Sequence, residues 1–286
     1  MTRIIDLLNQ GPQFSFEFFP PKTPAGEETL FRTLNRLKDL DPGFVSITCG
    51  AMGSTRANTV GWARRTQTEV GLTPLTHLTC LGVPDEELDA TLDELREAPL
   101  TNILALRGDP PSEAASTLGG SCHYAVDLIP RVKARIPHAC IGAACYPEKH
   151  VDAPSMKTDL EHLKRKADAG ADFFITQLFF DNAKYFEFVG RARSRGILQP
   201  IIPGIMPIQN VAQIKRFTQQ CGASIPRHLL SLLEQYQDAP AAVFHIGVAH
   251  AIHQSVELLE HGAPGVHFYT LNRSSATRLV VEALKS

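Results

Sequence analysis

The sequence predicts an α/β fold, a single (β/α)8 TIM barrel, and three observations support this. Eight short apolar runs recur along the 286 residues, amphipathic segments separate them, and polar side chains follow most of the runs. Strands that alternate with helices form parallel sheets, and continuous apolar runs are typical of strands buried on both faces. Eight repeats favour closure, and one barrel commonly fills a chain of this length, so we expect residues 1–286 to form one domain.

The predicted strands also argue against an open, doubly wound sheet. That architecture predicts a Gly-x-Gly-x-x-Gly turn after an early strand, and the sequence contains neither this turn nor a P-loop. In chain order, the predicted strands are Phe14–Phe18, Phe44–Thr48, Leu75–Leu78, Ile103–Leu106, Ile141–Cys145, Phe173–Leu178, Ile201–Ile205 and Val266–Tyr269.

The intervening segments have the spacing of helices with one apolar face. The residues that form these stripes are Leu30, Leu34 and Leu37, then Leu88, Leu92 and Leu95, then Leu160, Leu163 and Ala167. Thr23 before Pro24 predicts a helix start, and Pro240 predicts the start of a long helix at about 241–261. We interpret Met1–Gln10 as a short covering helix rather than a signal peptide.

Composition and charge exclude several classes of function. The chain is 43% hydrophobic and 20% charged, with a formal net charge of −2 and no basic block, so neither nucleic acid nor membrane is an expected partner. The six cysteines form no CxxC pair and the 11 histidines form no HExxH motif, so no metal site is predicted. Scattered cysteines without a signal peptide predict a cytoplasmic location.

In a barrel of this kind the chemistry takes place at the carboxyl ends of the strands. Polar residues, with the glycine of one turn, collect at those positions in this sequence: Glu17, Thr48, His77, Thr79, Arg107, Gly108, Asp109, Tyr146, Glu148, His150, Thr176, Gln177, Tyr269, Asn272 and Arg273. We therefore predict a functional site at this rim.

Glu17 is the strongest single candidate at the predicted rim. It lies in the apolar string FSFEFFPP, and apolar surroundings favour the neutral form of a carboxyl group, so we expect a raised pKa. A carboxyl group that is protonated near neutral pH can act as a general acid. From position alone, a structural glutamate paired with Lys or Arg is an equal alternative.

Two further segments allow more than one interpretation. Arg107-Gly108-Asp109 predicts a tight turn whose glycine permits close approach of a ligand, or a plain loop. The stretch Asp159–Lys166 reads as a solvated helix face or as a group that contacts phosphate oxygens through its basic side chains. The spacing of these residues does not decide between the two interpretations.

The sequence resembles the methylenetetrahydrofolate reductases in motifs that run in order over nearly the whole chain. The motifs are FSFEFFPPKT, TCGAMGSTR, HLTC, LRGDPP, CYPEKH, DLEHLKRKADAGADFFITQLFFD, IIPGIMP and HFYTLNR. The resemblance implies one catalytic barrel domain that binds FAD at its C-terminal rim. It also implies a ping-pong hydride relay from NADH or NADPH through the flavin to 5,10-methylenetetrahydrofolate, a step of one-carbon metabolism and methionine biosynthesis.

The resemblance also implies roles for individual residues. Glu17 resembles the acid that protonates N10 of the folate, and Asp109 resembles a carboxylate near flavin and pterin. Gln177, Tyr269 and Arg273 resemble substrate contacts. The residues that resemble the FAD contacts are Thr48, His77, Arg107, Gly108, Asp109, Tyr124, Tyr146, His150, Asp159, Arg165 and Lys166.

Three positions depart from the family pattern: Cys49 replaces a common tyrosine, His162 a common asparagine, and Val211 an aromatic that packs on substrate. The chain ends at Ser286 without a regulatory domain, so we expect no inhibition by S-adenosylmethionine. The alternatives are a flavin-free folate reductase, a non-catalytic folate-binding barrel and a proline dehydrogenase-like flavin barrel. The choice between NADH and NADPH, a homo-oligomeric state and an electron-delivering partner subunit stay open.

Overall fold

The computed structural model describes residues 2–48, 56–109 and 119–286. Among these, nine parallel strands form one sheet in the order β7-β6-β5-β4-β3-β2-β1-β9-β8. The strands are β1 Gln13–Phe18, β2 Phe44–Ile47, β3 Pro74–Thr79, β4 Asn102–Leu106, β5 Cys140–Cys145, β6 Phe173–Thr176, β7 Ile201–Ile202, β8 Gly204–Ile205 and β9 Gly265–Tyr269. Every predicted strand is confirmed, and the arrangement is the predicted (β/α)8 barrel.

The ninth strand arises because proline interrupts the seventh run of the barrel. Ile201–Ile202 pairs with β6, and Gly204–Ile205 pairs with β9. Between them, Pro203 has no N–H group to donate, although its carbonyl accepts a hydrogen bond from the backbone N–H of His267 at 2.9 Å. The two halves together close the barrel.

The predicted helices cover the outside of the sheet and bury their leucine stripes. Thr23 caps its helix as predicted, because its hydroxyl accepts from the Gly26 N–H at 3.1 Å. In the described ranges the helices are α1 Ile4–Leu8, α2 Pro24–Lys38, α3 Arg56–Arg65 with a wider turn at Thr66–Val70, α4 Asp85–Glu97, α5 Ala125–Arg135, α6 Met156–Asp168, α7 Asn182–Arg193, α8 Val211–Cys221, α9 Arg227–Gln235, α10 Pro240–Glu260 and α11 Ser275–Lys285. Sequence analysis did not identify α11.

The short helix α1 closes the amino end of the barrel. Ile4 and Leu8 pack against an interior apolar layer that includes Phe44, Phe173 and Ile202. The side-chain oxygen of Asn102 accepts from the Ile4 N–H at 3.0 Å, and its amide donates to the Thr2 carbonyl at 3.0 Å. The interior is therefore apolar at this end, which leaves the opposite end for polar groups.

In the described part of the chain, no helix is both long and apolar enough to cross a membrane. Among the same residues, no group of three or more His, Cys, Asp or Glu side chains is arranged to hold a metal ion.

Candidate active site

Glu17 lies at the carboxyl end of β1, among side chains from three other strands. In register, Glu17 pairs with Ser46 on β2 and with Tyr269 on β9. Its Oε2 atom lies 3.3 Å from Nε2 of His267 and 3.5 Å from Nε2 of His77, and it accepts from the Ser46 hydroxyl at 3.4 Å. The side chain is 16% exposed, so the carboxyl group borders the open end of the barrel.

The predicted rise in the pKa of Glu17 is wrong. Burial does raise it, but the hydrogen bond with His267 and the charges that His77 and His267 can carry outweigh burial, so the pKa lies below its ordinary value. The apolar string around Glu17 is misleading because its neighbours Phe16 and Phe18 face the core outside the barrel. Side chains on one face of a strand alternate with those on the other, so Ser15 and Glu17 face the interior of the barrel while the two phenylalanines face outward.

A cavity of about 420 Å³ opens at the rim, at the ends of β4 and β5, next to the start of α5 and along one face of α6. Its polar lining brings together seven of the residues that the resemblance assigns to FAD: Arg107, Tyr124, Tyr146, His150, Asp159, Arg165 and Lys166. Asp152 and His162 complete that polar lining. The lining therefore contains three cationic side chains and two carboxylates.

Lys166 and Asp159 form the inner wall of the cavity. The Lys166 ammonium donates to the Ala144 carbonyl at 2.5 Å and lies 5.8 Å from the centre of the Tyr146 ring. Burial lowers the pKa of Lys166 and raises that of Asp159, while the attraction between the two charges opposes both shifts. Because both lie on the inner face of α6, the mixed-charge stretch is more than a solvated helix face.

His150 and Arg107 are held by the loop that follows β5. Nδ1 of His150 accepts from the Asp152 N–H at 3.0 Å, so the neutral ring carries its proton on Nε2. Arg107 forms a 3.0 Å ion pair with Asp152. Burial is the main cause that lowers the pKa of His150, and the charge of Arg107 adds to it. The ring of Tyr146 contacts His150 edge-on, with centroids 4.7 Å apart.

Tyr124 reaches the cavity from a segment anchored to α4. The Ser121 hydroxyl donates to Asp85 at 2.9 Å, and Arg131 on α5 forms ion pairs with Asp85 and Asp89. Tyr124 itself begins α5 and is 59% exposed. These contacts fix the backbone that presents the tyrosine ring at the mouth of the cavity.

The predicted substrate contacts Gln177 and Tyr269 lie between the two regions. The Tyr269 hydroxyl donates to the Thr176 carbonyl at 2.6 Å. The side-chain oxygen of Gln177 accepts from the Leu178 N–H at 2.9 Å, which leaves its NH2 group as the remaining donor. A Cβ atom at Gly204 would lie 2.5 Å from the Thr176 carbonyl oxygen, so only glycine fits beneath the tyrosine.

Other predicted residues lie at the rim but outside these contact groups. Asp109 and Arg273 are exposed. Burial is the main cause that raises the pKa of Tyr146, and the charge of Asp109 is one of several smaller causes. Gly108 has φ +85°, and a Cβ there would lie 3.0 Å from Cβ of Thr79. Cys49 lies outside the described residues. Val211 is buried in a cluster with Met206, Ile208 and Leu229.

His267 and Ser46 belong to the Glu17 centre, and sequence analysis missed both. Each is buried inside a run that reads as apolar, VHFY for His267 and FVSI for Ser46. His267 was detectable as the polar residue on the same strand face as Tyr269. Glu148, by contrast, was placed at the rim, yet its carboxylate accepts from the backbone and hydroxyl of Ser224.

The lining of the cavity fits the flavin nucleotide that the resemblance implies. Arg107, Arg165 and Lys166 suit a pyrophosphate, because cationic donors form strong hydrogen bonds to phosphate oxygens. The Thr48 hydroxyl, at the end of β2, is buried and has no hydrogen-bond partner among the described residues. A buried hydroxyl of this kind can serve a bound ligand.

The fold and rim define a class: a (β/α)8 barrel with a carboxylate–histidine centre at its carboxyl end and a cationic, nucleotide-sized cavity beside it. The chain belongs to the methylenetetrahydrofolate reductase family, whose sequence model matches residues 1–285. This membership sets aside the proline dehydrogenase-like alternative.

Individual relatives agree with this assignment. The chain is 36% identical over 271 residues to the 5,10-methylenetetrahydrofolate reductase of Escherichia coli (strain K12), covering 94% of this chain and 90% of that protein. It is 40% identical over 285 residues to methylenetetrahydrofolate reductase (NADH) 1 of Arabidopsis thaliana, covering 95% of this chain and 48% of the relative. The chain thus spans about half the length of its plant and fungal relatives.

One solved structure has the same fold. It is an uncharacterized protein from Clostridium thermocellum that binds two copies of 5-methyl-5,6,7,8-tetrahydrofolic acid. The TM-score is 0.67 at 15% identity, covering 99% of this chain and 98% of that chain. At this identity the likeness shows the fold alone.

Proposed function

We propose that this chain reduces 5,10-methylenetetrahydrofolate to 5-methyltetrahydrofolate, with electrons from NADH or NADPH and with FAD bound at the carboxyl-terminal rim. Family membership supports the reaction, and the Glu17 carboxyl group at the open end of the barrel is the observation that carries it. The Clostridium thermocellum protein of the same fold binds a methylated folate, which supports a barrel of this kind as large enough for a folate ligand. In this proposal residues 1–286 act as one catalytic domain.

Glu17 is the proposed general acid. Donation of its proton to N10 of the folate breaks the bond between N10 and the methylene carbon, which leaves an electrophilic iminium carbon on N5. FAD bound at the rim would supply the chemistry of hydride transfer from the reduced nicotinamide to that carbon. General acid catalysis of this kind contributes ~10²- to 10⁴-fold to a rate.

Glu17 must hold a proton while the folate is bound, although its pKa is lowered in the open barrel. A ring system over the 16% exposed side chain removes water, and loss of water favours the neutral carboxyl group. Burial lowers the pKa of His77, which weakens the histidine charge that holds the pKa of Glu17 down. We therefore expect Glu17 to take up a proton when the folate binds.

The remaining predicted residues bind and orient. Arg107, Arg165 and Lys166 would hold the pyrophosphate of FAD, and the charge of Asp159 attracts the Lys166 ammonium. The NH2 group of Gln177 and the ring of Tyr269 lie between the FAD cavity and Glu17, where a substrate would contact both. Exposed Arg273 suits the anionic glutamate tail of the folate, and Asp109 would orient the pterin.

A spectroscopic experiment tests the proposal. The FAD-loaded protein is mixed anaerobically with NADH and, separately, with NADPH, and then with 5,10-methylenetetrahydrofolate. Bleaching of the flavin bands by one nucleotide, and their recovery with the folate, would support the proposal and identify the donor. Turnover by protein that takes up no FAD would indicate a flavin-free reductase. Folate binding without turnover would indicate a binding barrel, and either result would contradict the proposal.

We also infer a cytoplasmic location for the protein. The described cysteines are free thiols, which supports a reducing compartment: Cys80, Cys122, Cys140, Cys145 and Cys221. Secretion of the native protein in its source organism would contradict this inference.

A further inference from the structure

His267 connects Glu17 to a second buried hydroxyl, that of Ser15. The two residues are register partners on β9 and β1, and both are fully buried. Nδ1 of His267 lies 2.8 Å from Oγ of Ser15, and Nε2 lies 3.3 Å from Oε2 of Glu17. Both ring nitrogens are therefore engaged.

The ring of His267 has no freedom to turn away from these partners. It stacks on Phe44 with centroids 5.9 Å apart and an interplanar angle of 17°. It also contacts Tyr269 edge-on at 5.4 Å. Packing on two sides fixes the line from Ser15 through the imidazole to Glu17.

We infer that His267 is a positioning residue that keeps the Glu17 carboxyl group hydrogen-bonded in both of its protonation states, with Ser15 adapting to the change. A neutral imidazole has one donor and one acceptor nitrogen, and a hydroxyl can donate or accept. With Glu17 ionised, Nε2–H donates to the carboxylate, and the Ser15 hydroxyl donates to Nδ1. With Glu17 protonated, its O–H donates to Nε2, and Nδ1–H donates to Ser15.

This arrangement matters because an unpaired buried polar group is costly. If one nitrogen lacked a partner, one protonation state of Glu17 would be disfavoured, and a general acid must pass through both states in each cycle. Since Ser15 and His267 are fully buried, they provide no route to solvent. The proton of Glu17 must therefore come from the open end of the barrel, and His267 holds the carboxyl group in place.

Other groups also face Glu17. His77 on β3 lies 3.5 Å away, and the Ser46 hydroxyl on β2 can donate to the carboxylate. The Tyr269 hydroxyl is occupied by the Thr176 carbonyl. Ser15, on the far side of the His267 ring, can reverse the direction of its hydrogen bond and so can serve either protonation state of Glu17.

Infrared titration of the carboxyl group tests the inference in the FAD-loaded protein. The carbonyl band of protonated Glu17 is assigned by its loss in Glu17→Gln. His267→Leu removes the hydrogen bond that offsets the effect of burial on Glu17. The midpoint of the Glu17 titration should therefore rise by about one pH unit or more. His267→Gln keeps an amide that can donate or accept and should return the midpoint to within about half a unit. His253→Leu, on the exposed face of α10, is the matched control.

Ser15→Ala separates positioning from simple packing. Without the hydroxyl, the tautomer with Nδ1–H has an unpaired buried donor, which is the rarer and costlier defect. The Nε2–H tautomer then dominates and favours the carboxylate, so the midpoint should fall while it rises in His267→Leu. Equal midpoints in wild type and Ser15→Ala would overturn the inference even if His267→Leu failed to fold.

Only the kinetic consequence of this inference rests on the proposed role of Glu17 as the general acid. The pH profile of the folate half-reaction should shift with the infrared midpoint in each variant. If Glu17→Gln reduced folate normally, the acid assignment would fail, while the infrared titration would still decide the role of His267. An unshifted band in both His267→Leu and Ser15→Ala would contradict the positioning role whatever the activity.

Discussion

The carboxyl groups of Glu17 and Asp159 have pKa values shifted in opposite directions. Burial favours the neutral form of each, but the hydrogen bond from His267 and the nearby histidine charges lower the pKa of Glu17. Asp159 keeps a raised pKa although Lys166 and the His150 N–H oppose the effect of burial. The difference shows that the number and placement of partners, rather than burial itself, set the charge of a buried carboxyl group.

The two regions also differ in construction. The Glu17 centre is formed by side chains of β1, β2, β3 and β9, whose positions follow from strand register. The cavity around Asp159 is formed by α6 and by loops, with Arg107 28% and Asp152 63% exposed. We interpret the first region as the rigid place of proton transfer and the second as the adaptable place of binding.

Glu17→Gln should give the largest effect and separate the two regions. The amide keeps the size of the side chain but supplies no acidic proton, so folate reduction should fall by ~10²- to 10⁴-fold. Reduction of bound FAD by NAD(P)H should change by less than about twofold, because the cavity is untouched. Stopped-flow absorbance measures both half-reactions. Glu28→Gln, on the exposed face of α2, is the control, and normal folate reduction by Glu17→Gln would refute the acid assignment.

Lys166→Met should affect binding and leave proton transfer intact. Methionine replaces the buried stem but not the charge, and loss of a charge-assisted hydrogen bond to phosphate corresponds to ~10- to 100-fold weaker FAD binding. Fluorescence titration with FAD measures the change. Lys164→Met is the matched control, since Lys164 lies on the same helix and pairs with Asp168 at the surface. Equal affinities in the two variants would remove Lys166 from the cofactor site.

The pH dependence of stability should give the smallest effect, with opposite signs in the two regions. Glu17 has a lowered pKa, so its contribution is present above its unfolded pKa and is lost as pH falls through the folded pKa. Asp159 has a raised pKa, so the folded state binds the proton more tightly and its contribution grows as pH falls. Urea unfolding between about pH 3 and pH 6 should show opposite slopes for wild type minus Glu17→Gln and wild type minus Asp159→Asn. Slopes of the same sign would contradict the comparison.

Sequence patterns predicted the strands because parallel strands buried on both faces leave a continuous apolar signal. They also placed Lys166 and Asp159 in a binding region once the family motif was seen. They failed for the environment of Glu17, since His267 lies 250 positions away and only barrel closure brings the two together. Apolar neighbours in sequence, such as Phe16, lie on the opposite face of the strand from Glu17. The predicted direction of the Glu17 pKa shift was therefore wrong.

The interruption at Pro203 has a mechanical consequence. Every other strand joins its neighbours through an unbroken ladder, but residues 201–205 form a seam in which each half pairs with one side only. The hydroxyl and carbonyl of Thr176 reinforce the seam by accepting from the Gly204 N–H and the Tyr269 hydroxyl. Because the ladder is interrupted at residues 201–205, we expect local opening of the barrel to begin there. Amide hydrogens of this segment should exchange fast, and the opening should widen the mouth of the barrel next to Gln177. In the proposed reaction, nicotinamide and folate would bind in turn at this more mobile side of the barrel mouth.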